Sequence, residues 1–141
     1  MIDKRGWGAA LAAGLALWQI GAIAAGTEKA LPPELVEQLL KKDLVGAPNK
    51  EILTLTVEYP PGVASLPHRH DAQVIVYVLQ GEITMQNKGS PAVTLRQGQI
   101  FYESPTDVHV VSANASKTVP AKILVFIVKD KSAPVSRDVA Q

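Results

Sequence analysis

The sequence contains no cysteine among its 141 residues, and this absence removes a whole group of functions. Without thiols the chain can form no disulfide bond, no thiolate metal site and no cysteine nucleophile. Histidine is nearly as scarce, since only His68, His70 and His109 occur. Any metal site or acid–base chemistry that uses imidazole must therefore draw on these three residues.

The chain also lacks an excess of charge of either sign. It has 14 basic and 13 acidic residues, which gives a formal net charge of +1. Proteins that bind nucleic acid normally carry a clear basic excess, so this balance argues against a nucleic-acid partner. The length allows one domain. Ten glycines, ten prolines and only 5% aromatic residues indicate many turns and a high β content.

Residues 1–26 form a segment of their own. Asp3, Lys4 and Arg5 precede a run from Gly6 to Thr27 that contains no charge and ends in small residues. A basic start, an apolar middle and a small-residue end are typical of a secretory signal peptide, here cleaved after Ala24 or Gly26. The alternatives are an uncleaved membrane anchor and a buried helix. We therefore expect an exported protein, periplasmic or extracellular in a bacterium, or membrane-anchored if the segment is not cut, with no other membrane association.

Residues 27–49 form an N-terminal extension whose structure the pattern leaves open. Leucine and valine recur at helical spacing, and Pro32 or Pro33 suits the first turn of a helix. The same stretch also fits a strand at the edge of a sheet. The prediction is a short helix or a strand.

From residue 50 to 129 the pattern is that of an all-β domain. In residues 51–59 apolar and polar side chains alternate, as in a half-buried strand, and about eight such short strands follow one another. This pattern favours a sandwich or barrel. The strands at 74–79 and 123–128 are apolar on both faces, and a second copy of the chain is the simplest cover for the outer face. Residues 130–141 are polar and predict a flexible tail.

The three histidines have the spacing of a metal site. His68 and His70 are two residues apart, which places both side chains on one face of a strand, and His109 lies in another strand-like segment. Three converging imidazoles suit a divalent transition metal, and three protein ligands leave positions open for a further molecule. The plain alternative is that these are ordinary surface or hydrogen-bonded histidines.

The arrangement of histidines and glycines resembles the two motifs of the cupin superfamily. The first motif consists, in order, of a glycine, five residues, H-x-H, three or four residues, a glutamate, six residues and a glycine. Gly62, His68, His70 and Gly81 stand in this register. The second motif runs from a glycine through P-x-G and a histidine to an asparagine, and Gly98 and His109 fit it. The resemblance covers roughly residues 50–128.

Several positions depart from the cupin pattern. If three residues separate H-x-H from the family's glutamate ligand, that position is Val74 in this sequence. If four residues separate them, it is Ile75. Gln73 and Glu103 are the candidates to replace the missing glutamate ligand. Alternation along a strand turns Gln73 away from His70, whereas Glu103 is an even number of residues from His109 and so has the same alternation. Asn114 lies one place beyond the family's asparagine position and fits a turn.

The resemblance implies a double-stranded β-helix, that is, a small jelly-roll barrel, which pairs as a homodimer. It implies that His68, His70 and His109 hold Fe, Mn, Ni, Cu or Zn inside the barrel. The enzymatic hypothesis is a dioxygenase-like oxidoreductase acting on a small organic or phenolic substrate, with no catalytic residue assigned. The alternative is a non-enzymatic module that binds a small ligand or a metal. A third hypothesis is a metal-free barrel.

Overall fold

Ten β-strands and no helix make up residues 33–139, the part of the chain that this computed structural model describes. Those residues contain no helix that is long and apolar enough to cross a membrane. The signal peptide or anchor predicted for residues 1–26 lies outside the described part. The strands are β1 (Leu35–Asp43), β2 (Lys50–Tyr59), β3 (His68–Arg69), β4 (Ala72–Gln80), β5 (Glu82–Asn87), β6 (Val93–Arg96), β7 (Ile100–Glu103), β8 (His109–Asn114), β9 (Ala121–Asp130) and β10 (Arg137–Asp138).

The strands form two five-stranded sheets. The first sheet has the order β1-β2-β9-β4-β7, and the second has the order β10-β3-β8-β5-β6. All neighbouring strands run antiparallel. Most neighbours are distant in sequence, as β2 and β9 are, because the chain crosses repeatedly between the sheets. This all-β jelly-roll barrel is the predicted fold class, which is confirmed.

The core lies between the two sheets, and the alternation in the sequence builds it. Strands β2, β4 and β9 send every second side chain inward, and strand β5 closes the opposite side. The innermost apolar side chains are Leu53, Val74, Val76, Val78, Ile83, Met85, Ile123 and Ile127. Burial of an aliphatic side chain contributes about 1.5–3 kcal/mol, so this set supplies a large share of the stability.

The N-terminal extension is a strand and not a helix. Strand β1 pairs along almost its whole length with β2, from Leu35 opposite Glu58 to Asp43 opposite Glu51. An irregularity between Gln38 and Leu40 interrupts the register. The spacing of leucines suggested a helix, but the free edge of β2 offers backbone donors and acceptors that only a strand can satisfy. The helical alternative is therefore wrong and the strand alternative is confirmed.

The C-terminal segment, expected to be a flexible tail, lies against the barrel in its described part. Strand β10 pairs with β3, with Arg137 opposite Arg69 and Asp138 opposite His68. The Val139 N–H donates to the carbonyl of Pro67 over 3.0 Å. Within the flexible tail predicted for residues 130–141, residues 137–139 thus pair with the barrel, which polar composition alone does not show.

The outer face of the first sheet carries a contiguous apolar patch of Ile75, Tyr77, Ile100, Tyr102 and Phe126. Ile75 lies opposite both Tyr102 and Phe126, and Tyr77 lies opposite Ile100, so the five side chains are direct neighbours. All five are exposed, from 36% for Phe126 to 60% for Ile100. Exposed patches of this kind often mark protein interfaces. This patch is where the homodimer, which stays a prediction, would form.

Replacing Ile75 by lysine is expected to weaken the dimer. A charge at the centre of an apolar interface should raise the dissociation constant about tenfold or more. Light scattering coupled to size exclusion would then report the mass of one chain for Ile75→Lys and of two chains for the wild type. Val93→Lys, at an exposed position on the second sheet, is the control. A wild-type chain that elutes with the mass of one chain at all concentrations contradicts the prediction.

Candidate functional site

The fold brings the three histidines together at one end of the barrel. His68 on β3 lies directly opposite His109 on β8, and His70 follows two residues later. The His68 ring centroid is 5.0 Å from that of His70 and 5.4 Å from that of His109. The two sequence motifs therefore meet through a single antiparallel pair, which is why residues so distant in sequence share a site.

Backbone carbonyls orient two of the rings. The Nδ1 of His68 lies 2.8 Å from the carbonyl oxygen of Leu66, and the Nδ1 of His70 lies 2.5 Å from that of Val135. A carbonyl oxygen only accepts, so each Nδ1 carries the proton and donates. Each Nε2 is then left with a free lone pair. This is the tautomer that a metal ligand needs, and outer hydrogen bonds of this kind commonly fix it.

His109 is the most buried of the three histidines. It is 2% exposed, stacks on Phe101 with ring centroids 5.5 Å apart, and has an Nε2 that is buried without a hydrogen-bond partner. Burial, together with the neighbouring His68 and His70, lowers its pKa to about 4. Burial also lowers the pKa of His70. Both rings are therefore neutral at neutral pH, the form that binds metal.

Glu103 joins the histidines, whereas Gln73 does not. The Glu103 carboxylate is 3% exposed and lies 3.8 Å from the His70 Nε2 and 3.5 Å from the His109 Nδ1. Burial, together with the nearby Asp107, raises its pKa to about 7. Gln73 is exposed on the outer face of β4, while Val74 is fully buried. Strand parity thus predicted the placement of both candidates.

The donor atoms of these four side chains are close together but are not yet arranged around one point. Within residues 33–139 no three His, Asp or Glu side chains form a ready-made metal cage. The His68 ring centroid lies 5.0 Å from that of His70 and 5.4 Å from that of His109, and the Glu103 oxygens lie 3.5–3.8 Å from the nearest His109 and His70 nitrogens. The unpartnered Nε2 of His109 and the fixed tautomers of His68 and His70 show that the residues present fit a transition metal.

A cavity of about 560 Å³ extends from the histidines into the barrel. Its walls are mainly aliphatic, with Leu53, Leu55, Val76, Ile123 and Ile127 among them. A volume of this size accepts a small organic molecule. The cavity and the three histidines form one continuous site.

A polar cluster that the sequence analysis missed interrupts the apolar wall. The Tyr59 hydroxyl lies 2.9 Å from the hydroxyls of both Ser65 and Ser112, and all three residues line the cavity. Ser112 is a polar residue on the inward face of β8, which was the available signal. The cluster gives a bound molecule a hydrogen-bonding point away from the histidines.

The C-terminal segment, residues 131–139, acts as a strap at the cavity mouth. Val135, Ser136 and Asp138 line the cavity, and the Val135 carbonyl accepts from His70. Arg137 Nε donates to Asp71 over 2.7 Å, and Arg69 lies 3.2 Å from the same carboxylate. The segment predicted to be a free tail therefore supplies part of the site.

Arg137→Gln is expected to loosen this strap. Loss of an exposed ion pair is a modest change, so the Val139 amide should exchange with solvent about two- to fivefold faster. Hydrogen exchange followed by NMR measures this rate. Arg96→Gln, which removes the exposed ion pair with Glu82 on the second sheet, is the control. Equal exchange in both variants would show that Arg137 does not hold the strap.

Asn114 ties the turns behind the site. Its Nδ2 donates to the carbonyls of Tyr59, Pro60 and Val119, at 3.0, 3.2 and 2.8 Å. The Ser116 N–H donates to its Oδ1. The buried amide thus has a structural function at the turn after β8, as expected from its position.

Comparison with protein families identifies the fold. A family described as the cupin domain matches residues 55–127, which is more than half of the chain. The chain belongs to the cupin family. None of the curated proteins matches this cupin.

Solved structures agree on the cupin fold. The chain is similar to a DMSP lyase, DddQ, from Ruegeria pomeroyi, with a TM-score of 0.61 and 19% identity, over 76% of this chain and 52% of the lyase. A cupin-like protein from Thermotoga maritima gives 0.60 and 21%, over 77% of each chain. A recombinant oxalate oxidase in complex with glycolate gives 0.55 and 24%, over 73% of this chain and 54% of the oxidase. This cupin spans about half the length of the lyase and of the oxidase.

Proposed function

We propose that this cupin binds a divalent transition metal through His68, His70 and His109. The observation that carries the proposal is the buried, unpartnered Nε2 of His109 beside two histidines whose Nδ1 atoms are already engaged. An imidazole nitrogen buried without a partner is costly, and a metal ion would satisfy it. Fe, Mn, Ni, Cu and Zn all accept such a nitrogen set.

When bound, the metal would supply Lewis-acid or redox chemistry at its open positions. The protein's own residues shape the surroundings of that centre. Phe101 packs on His109 and shields it from solvent, the carbonyls of Leu66 and Val135 hold the other two rings, and the strap covers part of the mouth. Exclusion of water strengthens the electrostatic interactions of any group bound there.

The cavity favours an uncharged, mostly apolar ligand. No lysine or arginine is among the described residues that line it, and its charged lining residues, Glu34, Glu103 and Asp138, are acidic. An anion far from the metal would lack a counter-charge, whereas a neutral ring or chain finds aliphatic walls and the Tyr59 hydroxyl. A small organic or phenolic molecule is therefore the ligand class we propose.

An oxygen-dependent, dioxygenase-like reaction on such a molecule is the enzymatic form of the proposal. The similar structures include enzymes, namely a DMSP lyase and an oxalate oxidase, which supports a catalytic use of the barrel. Val74 at the position of the family's glutamate favours the second candidate, a barrel that binds a metal or small ligand without chemistry. A turnover assay separates these two.

The test of this function starts from the purified full chain. After incubation with Fe(II), Mn(II), Ni(II), Cu(II) or Zn(II), elemental analysis should find about one ion per chain. Oxygen uptake is then measured with simple phenols, with adipate as an anionic control of similar size. Uptake with phenols supports the enzyme, and metal retention without uptake supports the binding module. A chain that retains none of the five metals overturns the metal proposal.

We also propose that the chain is exported with removal of residues 1–26 or 1–24. Trp7 and Trp18 are its only tryptophans and both lie in that segment. The mature product should therefore show tyrosine fluorescence alone, with an intact mass that matches cleavage after Ala24 or Gly26. An intact mass of the whole chain in the periplasmic or membrane fraction would contradict cleavage.

A further inference from the structure

We propose that Glu103 is the carboxylate ligand of the metal centre and that it replaces, from the neighbouring strand, the glutamate that Val74 displaces. This inference rests on the proposed metal function and adds a fourth ligand to it. It concerns a residue that neither sequence motif specifies, since Glu103 is one of the unspecified residues between Gly98 and the second motif's histidine, and it lies on a different strand, β7.

Strand pairing places Glu103 at the right position. In the antiparallel pair of β4 and β7, Val74 lies directly opposite Glu103, and both side chains point into the barrel. Residues opposite each other in such a pair have Cβ atoms only about 4.5–5.5 Å apart. A side chain as long as glutamate spans this step, so a carboxylate on β7 can reach the volume that one on β4 would occupy.

The contacts of Glu103 are those of a ligand and not of a surface carboxylate. One carboxylate oxygen lies 3.8 Å from the His70 Nε2, the atom left free for a metal, and the other lies 3.5 Å from the His109 Nδ1, on the same ring as the unpartnered Nε2. Its ion-pair contacts within residues 33–139 are with these two histidines. A buried carboxylate needs a cation or several hydrogen-bond donors. A divalent ion among the four side chains supplies that cation.

A second buried carboxylate shows what this site lacks without a metal. Glu51, also inside the barrel, is held by Lys129 at 2.6 Å and Lys41 at 3.2 Å. No such cation stands next to Glu103 in the described part of the chain. This difference indicates that Glu103, and not Glu51, is the buried carboxylate that would bind a metal ion. Adding its charge to three neutral imidazoles would tighten metal binding.

A ligand swap in the full chain tests the inference. Glu103→Gln keeps the size but removes the charge, and Val74→Glu with Glu103→Val returns the carboxylate to β4. Gln73→Ala, on the outer face of the same strand, is the matched control. Affinities for Mn(II) and Zn(II) are measured by competition with a chromophoric chelator, and the ligand set is followed by the Co(II) absorption spectrum.

Glu103→Gln should raise the metal dissociation constants by more than about 100-fold, beyond the range that outer hydrogen bonds contribute, and should alter the Co(II) spectrum. Gln73→Ala should leave the dissociation constants within about twofold of the wild-type values. The double variant Val74→Glu with Glu103→Val should recover most of the affinity that Glu103→Gln loses. Wild-type binding with no loss in Glu103→Gln overturns the inference but leaves the three-histidine proposal intact. Weaker binding with an unchanged Co(II) spectrum would make Glu103 a positioning residue for His109 and likewise overturns it. A wild type that binds no metal overturns both.

Discussion

His109→Ala is expected to lose its metal almost completely. The residue provides the one imidazole nitrogen that is both fully buried and unpartnered, and its removal leaves two histidines that are partly exposed. Loss of an inner ligand should cost more than the 10–100-fold in affinity that changes in the outer hydrogen bonds cost. Elemental analysis after dialysis against buffer should therefore fall from about one ion per chain to near zero.

Two comparisons make this result specific. Ser112→Ala removes a buried polar side chain from the same face of the same strand and should keep the metal. His109→Asn fills more of the space than alanine and guards against a collapsed site. Circular dichroism of the metal-free proteins shows whether each variant folds. A folded His109→Ala protein that retains metal at the wild-type level would refute the assignment of His109.

Thermal stability gives a second readout of the same prediction. A ligand that binds only the folded chain stabilises it by about 2.7 kcal/mol at 100 times its dissociation constant. Zn(II) should therefore raise the melting temperature of the wild type and leave that of His109→Ala unchanged. The two proteins need only be compared with and without metal, so a general loss of stability in the variant does not confuse the result.

The β-strands of the barrel and the shared face of His68 and His70 could be predicted from the sequence because both depend on local rules. Alternation along a strand predicts which side chains enter the core, and two residues such as His68 and His70 share a face whatever the strand pairs with. The register between His68 and His109 could be inferred only through the cupin resemblance, because no local rule joins two distant strands.

The features that the sequence left open or missed depend on pairing between distant segments. The leucines of β1 left a helix and an edge strand as alternatives, and the free edge of β2 makes it a strand. The C-terminal segment looks like a polar tail, yet it adds β10 to the edge of β3 and brings the Val135 carbonyl to His70. Neither partner edge is visible in the segment's own composition.

Glu103 shows the same division within the site. Parity along the chain predicted that it shares a face with His109 and that Gln73 points away, and both placements hold. That it lies opposite Val74 follows from the pairing of β4 with β7, which no pattern in either strand encodes. The position of the carboxylate thus depends on the pairing of distant strands, whereas its inward direction follows from alternation along its own strand.

Gly81→Ala is expected to be among the most destabilising single substitutions in the barrel. Gly81 joins β4 to β5 with φ of +73°, a conformation that costs L-residues about 1–2 kcal/mol. A Cβ there would also lie 2.7 Å from the Pro120 carbonyl oxygen and 3.0 Å from the Cα of Ala121. These are backbone atoms at the start of β9, which is paired on both sides, so they cannot move without disturbing the first sheet.

Gly89→Ala separates the cost of the positive φ from the cost of the close contacts. Gly89 has φ of +83° but nothing within 4 Å of an added Cβ, so only the conformational cost of about 1–2 kcal/mol applies. Overpacking typically adds about 1–3 kcal/mol, so Gly81→Ala should lose about 2–5 kcal/mol in the free energy of unfolding. Urea denaturation followed by circular dichroism measures both variants. Equal losses would mean that the turn relaxes around Gly81 and that the close approach of Pro120 adds no cost.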